Sequence, residues 1–227
     1  MHNPNPENAW NRQKELQKIY SYEEVPSLEE IYNLILNITY GNVNINSQTL
    51  RAKALIAMYY ITGCRLSEIV KSKKIDYDIS LKDYSFKGVT KHDLKETLYN
   101  GKKVLFIRTK NRKHKTRKSK RQPIPLDFEY EYKIFTFIKE YCDTLQDTDV
   151  LFDFTNKRAT QIINDTIGFN AHFIRHIRCT HLITLYDFNE QALIKFMGWS
   201  DSRPAKSYME LSPKTILNEF YKNSGGN

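Results

Sequence analysis

No apolar run in this chain exceeds eight residues, Ala54–Ile61, well short of the roughly 20 that a bilayer-spanning helix needs. A helical membrane protein, and with it a membrane partner, is not expected. Cysteine is scarce: Cys64, Cys142 and Cys179 are odd in number, far apart and form no CxxC pair. That excludes a disulfide scaffold and suits reduced thiols in a cytosolic compartment. Eight glycines and seven prolines in 227 residues exclude a low-complexity chain. The opening MHNPNPENAW has no charged segment followed by an apolar one, so a secretory leader is not expected and a cytoplasmic location is.

Acidic residues are missing from one place in particular. Between Lys102 and Arg121 stand 11 basic side chains and no acid: Lys102, Lys103, Arg108, Lys110, Arg112, Lys113, Lys115, Arg117, Lys118, Lys120 and Arg121. Outside this segment 24 bases face 26 acids, so 20 residues carry the whole net charge of +9. Such concentration is the expected footprint of a polyphosphate, most often nucleic acid. A solvated basic loop or a localisation tag would share the composition.

The length fits one sizeable domain. Residues 1–25 read as a polar extension or linker remnant, and 26–227 as the domain. Ser27 and Glu30 have the spacing of a capping box, predicting a helix that ends near Gly41. A longer one from about Gln48 carries Leu50, Ala54, Ala57, Met58 and Ile61 as its buried stripe, with Gly63 ending or bending it. Residues 74–126 lose the helical period. KVLFIRT (103–109) and RQPIPL (121–126) read as a β-hairpin joined by the long basic turn. Helices are predicted again from Asp127, with Tyr130, Ile134, Phe137, Ile138 and Tyr141 on one face. Others follow over 156–167, from about 172, over 189–197, and after the N-cap pair Ser212–Pro213 with Ile216, Leu217 and Phe220. The expected class is α+β, mainly α, with one small antiparallel sheet packed by helices.

The stretch HFIRHIR, residues 172–178, crowds four cationic or proton-handling groups into seven positions. At about 100° per residue, His172, Arg175 and His176 share one helical arc of about 100°. Arg178 falls outside it, and His181 lies opposite His172. Three groups could therefore converge on one anion. His172 and His176 also have the spacing of a zinc pair, but no glutamate lies between them and Arg175 would repel a cation. Neither a metal nor a cofactor is expected.

Three further stretches belong with this one: TGCRLSEI (62–69), TKNRK (109–113) and MGWSDSRPAKSY (197–208), the last ending in Tyr208 nine positions after Trp199. In that chain order the set resembles the tyrosine recombinases, the phage integrase and Xer-like family. Its marks are TGxRxSE, a β-hairpin lysine, HxLRH, LGH or an LGW-like variant, and a tyrosine nine residues on. The resemblance covers about residues 26–227 and implies that family's catalytic-domain fold.

It also implies a chemistry. Breaking a DNA phosphodiester without metal needs a nucleophile, compensation for charge on the nonbridging oxygens, and a proton for the departing 5′-oxygen. By the resemblance Arg65 and Arg175 clamp the phosphate, a task suited to planar bidentate guanidinium. His172 hydrogen-bonds the phosphate or takes the tyrosine proton. Trp199 donates one indole N–H. Lys110 is the general acid, though Lys113, Lys115 and Lys118 stand in the same turn. Tyr208 attacks, giving a 3′-phosphotyrosyl link that conserves the bond energy without ATP. Glu68 and His176 orient these groups. Lys102, Lys103, Arg112, Lys113, Lys115, Arg117, Lys118, Lys120 and Arg121 hold double-stranded DNA. The implied activity is site-specific recombination or integration by a protein that is monomeric when free and assembles on DNA, as a tetrameric synapse. A type IB topoisomerase-like relaxing enzyme and a non-catalytic DNA-binding relic are the alternatives. Pro204 is expected to break a helix before Tyr208 and leave the tyrosine mobile.

Overall fold

A computed structural model describes residues 25–41, 46–71, 88–110 and 119–210. Its elements are α1 (Leu28–Leu36), α2 (Asn46–Thr62), α3 (Leu66–Ile69), β1 (Leu94–Tyr99), β2 (Lys102–Lys110), β3 (Ser119–Pro125), α4 (Glu129–Cys142), α5 (Asn156–Ile167), α6 (Ala171–Thr184), α7 (Glu190–Met197) and α8 (Arg203–Glu210). The expected class holds: the molecule is mainly helical with one small antiparallel sheet.

Helix α1 starts where the capping box put it. Ser27 Oγ accepts from the Glu30 amide at 3.2 Å, and Glu30 Oε2 accepts from the Ser27 amide at 2.7 Å. It ends at Asn37, short of Gly41, and Tyr40 is instead tied to Thr49 Oγ1 through both its N–H and its carbonyl, each at 3.0 Å. Helix α2 is no half-buried stripe. Every residue from Ala54 to Cys64 is buried, because α1, α4, α5, α6 and β3 surround it. Its sequence reads as nearly uniform hydrophobic from 54 to 61 for that reason.

The predicted hairpin gains a third strand. Strand β1 joins the edge of β2 through a two-residue turn at Asn100–Gly101, both at positive φ, which is the turn twist that suits a hairpin. Its residues are largely exposed and do not alternate, so period-two reading passes over it. Strand β3 pairs with β2 in a register that sets Thr109 opposite Lys120, Ile107 opposite Gln122 and Leu105 opposite Ile124. Pro204 does not break the helix before Tyr208. It lies in the first turn of α8, where an N–H would have no helical acceptor, and starts the helix. The residues around Ser212–Pro213 lie outside the described ones, as do most of 1–25.

Beneath α6 the core holds a polar layer. Arg178 donates from Nη1 to Glu131 Oε1 and from Nη2 to Glu131 Oε2 at 3.2 Å, with Tyr186 donating to the same carboxylate at 2.8 Å. His181 Nδ1 meets the Tyr60 hydroxyl at 2.7 Å, and its ring also hydrogen-bonds the Pro26 carbonyl. A carbonyl can only accept, so the other nitrogen is left to accept from Tyr60. Burial first, and the Arg178 charge second, push the His181 pKa down to about 4. The unfolded chain takes that proton near pH 6.5 and the folded one refuses it until about 4, so stability is intact above 6.5 and drains as pH falls through this window. Urea unfolding at pH 7 and pH 5 should show a drop that is about 2 kcal/mol larger for the native chain than for His181→Gln. Equal drops would mean that His181 takes no part.

Candidate active site

Gly63 ends α2 with its amide on the Tyr59 and Tyr60 carbonyls, both at 3.1 Å, and a φ of +55°. A Cβ there would stand 3.0 Å from Met197 Sδ and 3.3 Å from Arg178 Cγ. The positive φ and the crowding favour glycine at this turn, which brings Arg65 to the start of α3. There Glu68, 1% exposed, accepts from the Arg65 amide at 3.2 Å and from its Nη1 at 3.3 Å. The TGCRLSE segment is thus a helix end, a reversal and a new helix whose cap points an arginine outward. The Arg65 side chain keeps 28% of its surface exposed.

A second turn of the same kind makes MGW. Gly198 has φ +67° and ends α7, and the Trp199 amide reaches back to the Ile194 carbonyl at 3.1 Å. Arg175, buried on α6, joins the two turns. Its Nη1 donates to the Gly63 carbonyl and its Nη2 to the Met197 carbonyl at 3.3 Å, and its guanidinium lies 5.8 Å from the Trp199 ring centre. Both acceptors are neutral. Among the described residues no carboxylate pairs with Arg175, so its charge is held in place without being cancelled.

Tyr208 comes to this point on α8. Its ring stacks on Trp199, 5.8 Å between centres at 11°, and lies 5.2 Å from the His176 ring. Its hydroxyl hydrogen-bonds the Cys179 sulfur. Burial pushes that thiol up to about 12, so it stays neutral. His176 is buried between Phe173, 5.7 Å away, and Tyr208, while His172 on the turn before is exposed. Three separated motif stretches, holding Gly63, Arg175, and Trp199 with Tyr208, meet in one contact chain. Arg178, three positions from Arg175, turns into the core instead.

Of the basic segment, Arg112, Lys113, Lys115, Arg117 and Lys118 lie outside the described residues, and Lys110 is placed only by its backbone at the end of β2. Lys102, Lys103 and Arg121 are exposed on the sheet, with Lys102 paired to Asp127 at 3.0 Å. Lys120 is different. The residue is half-buried, yet its Nζ is sealed from solvent and has no hydrogen-bond partner among the described residues.

Sequence reading passed over the supports of the site. Gln122, fully buried on β3, donates from Nε2 to the Thr62 carbonyl and to the Phe196 carbonyl at 3.2 Å, and its Oε1 accepts from Cys64 Sγ at 2.9 Å. One amide therefore ties the end of α2 to the end of α7. The available signal was alternation along β3: Lys120, Gln122 and Ile124 face in, Arg121 and Pro123 face out.

No sequence-family model matches the chain, and no curated protein matches it by sequence. Solved structures do. The post-cleavage complex of the XerH site-specific recombinase with a palindromic difH substrate matches with a TM-score of 0.57 and 18% identity, over 85% of this chain and 50% of that one. The pre-cleavage XerH–difH complex matches with a TM-score of 0.50 and 18% identity, over 80% and 47%. An FLP recombinase–Holliday junction complex matches with a TM-score of 0.49 and 15% identity, over 88% and 48%. The chain spans about half the length of these structures. The fold is that of the tyrosine recombinase catalytic domain.

Proposed function

We propose that this chain breaks and rejoins double-stranded DNA through a 3′-phosphotyrosyl link on Tyr208, as a site-specific recombinase or integrase. The observation that carries the reading is the seat of Arg175: an uncancelled guanidinium spans the two motif turns and lies against Trp199, on which the nucleophile stacks. Arg65, capped by Glu68 and partly exposed, supplies the second phosphate contact. Exposed His172 is the hydrogen-bond partner or base at the phosphate. Trp199 donates its N–H to a nonbridging oxygen, and a lysine of the β2–β3 hairpin protonates the departing 5′-oxygen. Two guanidiniums and an ammonium carry the charge compensation that metal ions carry in other nucleases. Exposed Lys102, Lys103 and Arg121, with the rest of the basic segment, grip phosphates without reading sequence. Strand exchange follows when copies assemble on a multi-site DNA.

Tyr208 stacks in its own chain's site, which favours a tyrosine that serves there. The test is a nicked suicide duplex that traps the cleaved state. An SDS-resistant adduct should form in EDTA, and peptide mapping should place the nucleotide on the peptide bearing Tyr208. An adduct on another residue, or none on any duplex from the gene's own neighbourhood, sinks the reading.

A further inference from the structure

The ammonium of Lys120 has no use in the resting molecule. It carries three N–H donors, and its Nζ finds neither solvent nor a hydrogen-bond acceptor among the described residues. A buried unpaired charge is costly. The Phe196 ring lies 5.8 Å from it, a weak substitute for water. The charged and titratable groups facing it are Cys64, Glu68 and Arg65 from the TGCRLSE turn and Arg175 and Cys179 from α6. Two of these are the arginines of the proposed phosphate clamp, so the sealed ammonium lies within electrostatic reach of both.

The strand register separates Lys120 from Lys110. Lys120 pairs with Thr109, and both belong to the inward set with Gln122, which is fastened to Thr62, Cys64 and Phe196. Lys110 pairs with Ser119 and stands one register position off that set. The family resemblance names the hairpin lysine by motif order. The sealed ammonium names a different one.

Building on the phosphotyrosyl reading above, we infer that Lys120 is the proton donor to the departing 5′-oxygen. The step balances without a co-reactant. Tyr208 Oη bonds to phosphorus as its proton passes to the base, the phosphorus–O5′ bond breaks, and an Nζ proton goes to O5′. A 5′-hydroxyl and a neutral amine result, and religation returns the proton. Burial holds the Lys120 ammonium below the ordinary lysine range, and Arg175 and Arg65 push the same way against Cys64 and Glu68. A lowered pKa makes a better acid, and the neutral amine left behind suits a dry pocket.

A sulfur in place of the bridging 5′-oxygen leaves as a thiolate and needs no proton. Suicide duplexes of both kinds therefore isolate the donor. Lys120→Met should slow cleavage of the oxygen substrate by about 10²–10⁴-fold and leave the sulfur substrate within a few-fold of the native rate. Lys110→Ala should weaken both substrates alike, through lost DNA grip. Sulfur rescue of Lys110→Ala instead of Lys120→Met overturns the assignment. So does an equal loss on both substrates in Lys120→Met, or native rates on both. If Lys120→Met does not fold, the pH profile of the native chain decides. Its oxygen-substrate rate should fall on the alkaline side, below the usual lysine range of about 10.4, while the sulfur-substrate rate stays flat and Lys110→Ala keeps the limb. A shared alkaline limb on both substrates counts against Lys120. A native chain that makes no adduct on either duplex fails at the level of the proposed function, and this inference falls with it.

Discussion

Arg175→Ala should lower DNA cleavage by about 10³-fold or more, while noncovalent DNA binding changes several-fold at most. The size follows from the role proposed for the guanidinium. Charge grows on the nonbridging oxygens as the tyrosine attacks, and a preorganised cation aimed at that charge is worth roughly 10²–10⁵ in rate. Arg175 is preorganised by two carbonyls, of Gly63 and Met197, which fix the fork without neutralising it. Binding spreads over the exposed bases of the sheet and basic segment, so one buried charge adds little to it. Removing the side chain also leaves two buried carbonyls short of a donor, at about 1–3 kcal/mol, so the rate must be measured where a thermal melt shows the variant folded. Arg175→Lys separates the parts: it keeps a charge but cannot span both carbonyls and face the phosphate with a planar fork. It should recover only a small fraction of the rate. A folded Arg175→Ala chain that cleaves within tenfold of the native rate would remove Arg175 from the chemistry.

The arginine itself was legible in the sequence. Helical arithmetic put Arg175 and His176 on one arc and Arg178 off it, because within a single helix the period alone sets the direction. The capping box at Ser27 was legible for the same local reason. What one helix cannot show is what it meets. Nothing in HFIRH reveals that Arg175 is held by the carbonyls of Gly63 and Met197, or that Cys179 one turn on meets Tyr208, since those partners come from distant stretches. The complete burial of α2 from Ala54 onward was missed because a stripe was sought where the sequence is apolar all round. Strand β1 was missed because an exposed edge strand need not alternate. Lys120 was hidden in plain view: the 11 basic residues of 102–121 read as one DNA-holding segment, although the β3 alternation already grouped one of them with Gln122 and Ile124. Composition pointed to a polyanionic partner, and strand parity was needed to tell the basic residues apart.

Arg178 should fail in the opposite way to Arg175, three positions along the same helix. Arg178→Ala is expected to cost about 3–5 kcal/mol of folding stability, with no selective effect on the cleavage step in the fraction that stays folded. Both partners of its ion pair are 1% exposed, and the pair is bidentate, with Tyr186 adding a further hydrogen bond to Glu131. Taking away the guanidinium leaves a carboxylate in the core with, among the described residues, only the Tyr186 hydroxyl to hold it. Glu131→Leu strands the guanidinium in the same way, among the Tyr60, Tyr186 and Phe196 rings at 5.2–5.7 Å. The penalty in each single variant is mostly that of the abandoned charge, so removing both should be milder than the sum. Urea unfolding of Arg178→Met, Glu131→Leu and the double variant completes a cycle whose coupling should exceed about 1.5 kcal/mol. Single variants within about 1 kcal/mol of the native chain would mean that water reaches the pair and that the layer beneath α6 is not closed. A closed layer matters to the site above it, because the same turns of α6 that carry Arg178 and His181 inward fix the direction in which Arg175 presents its charge.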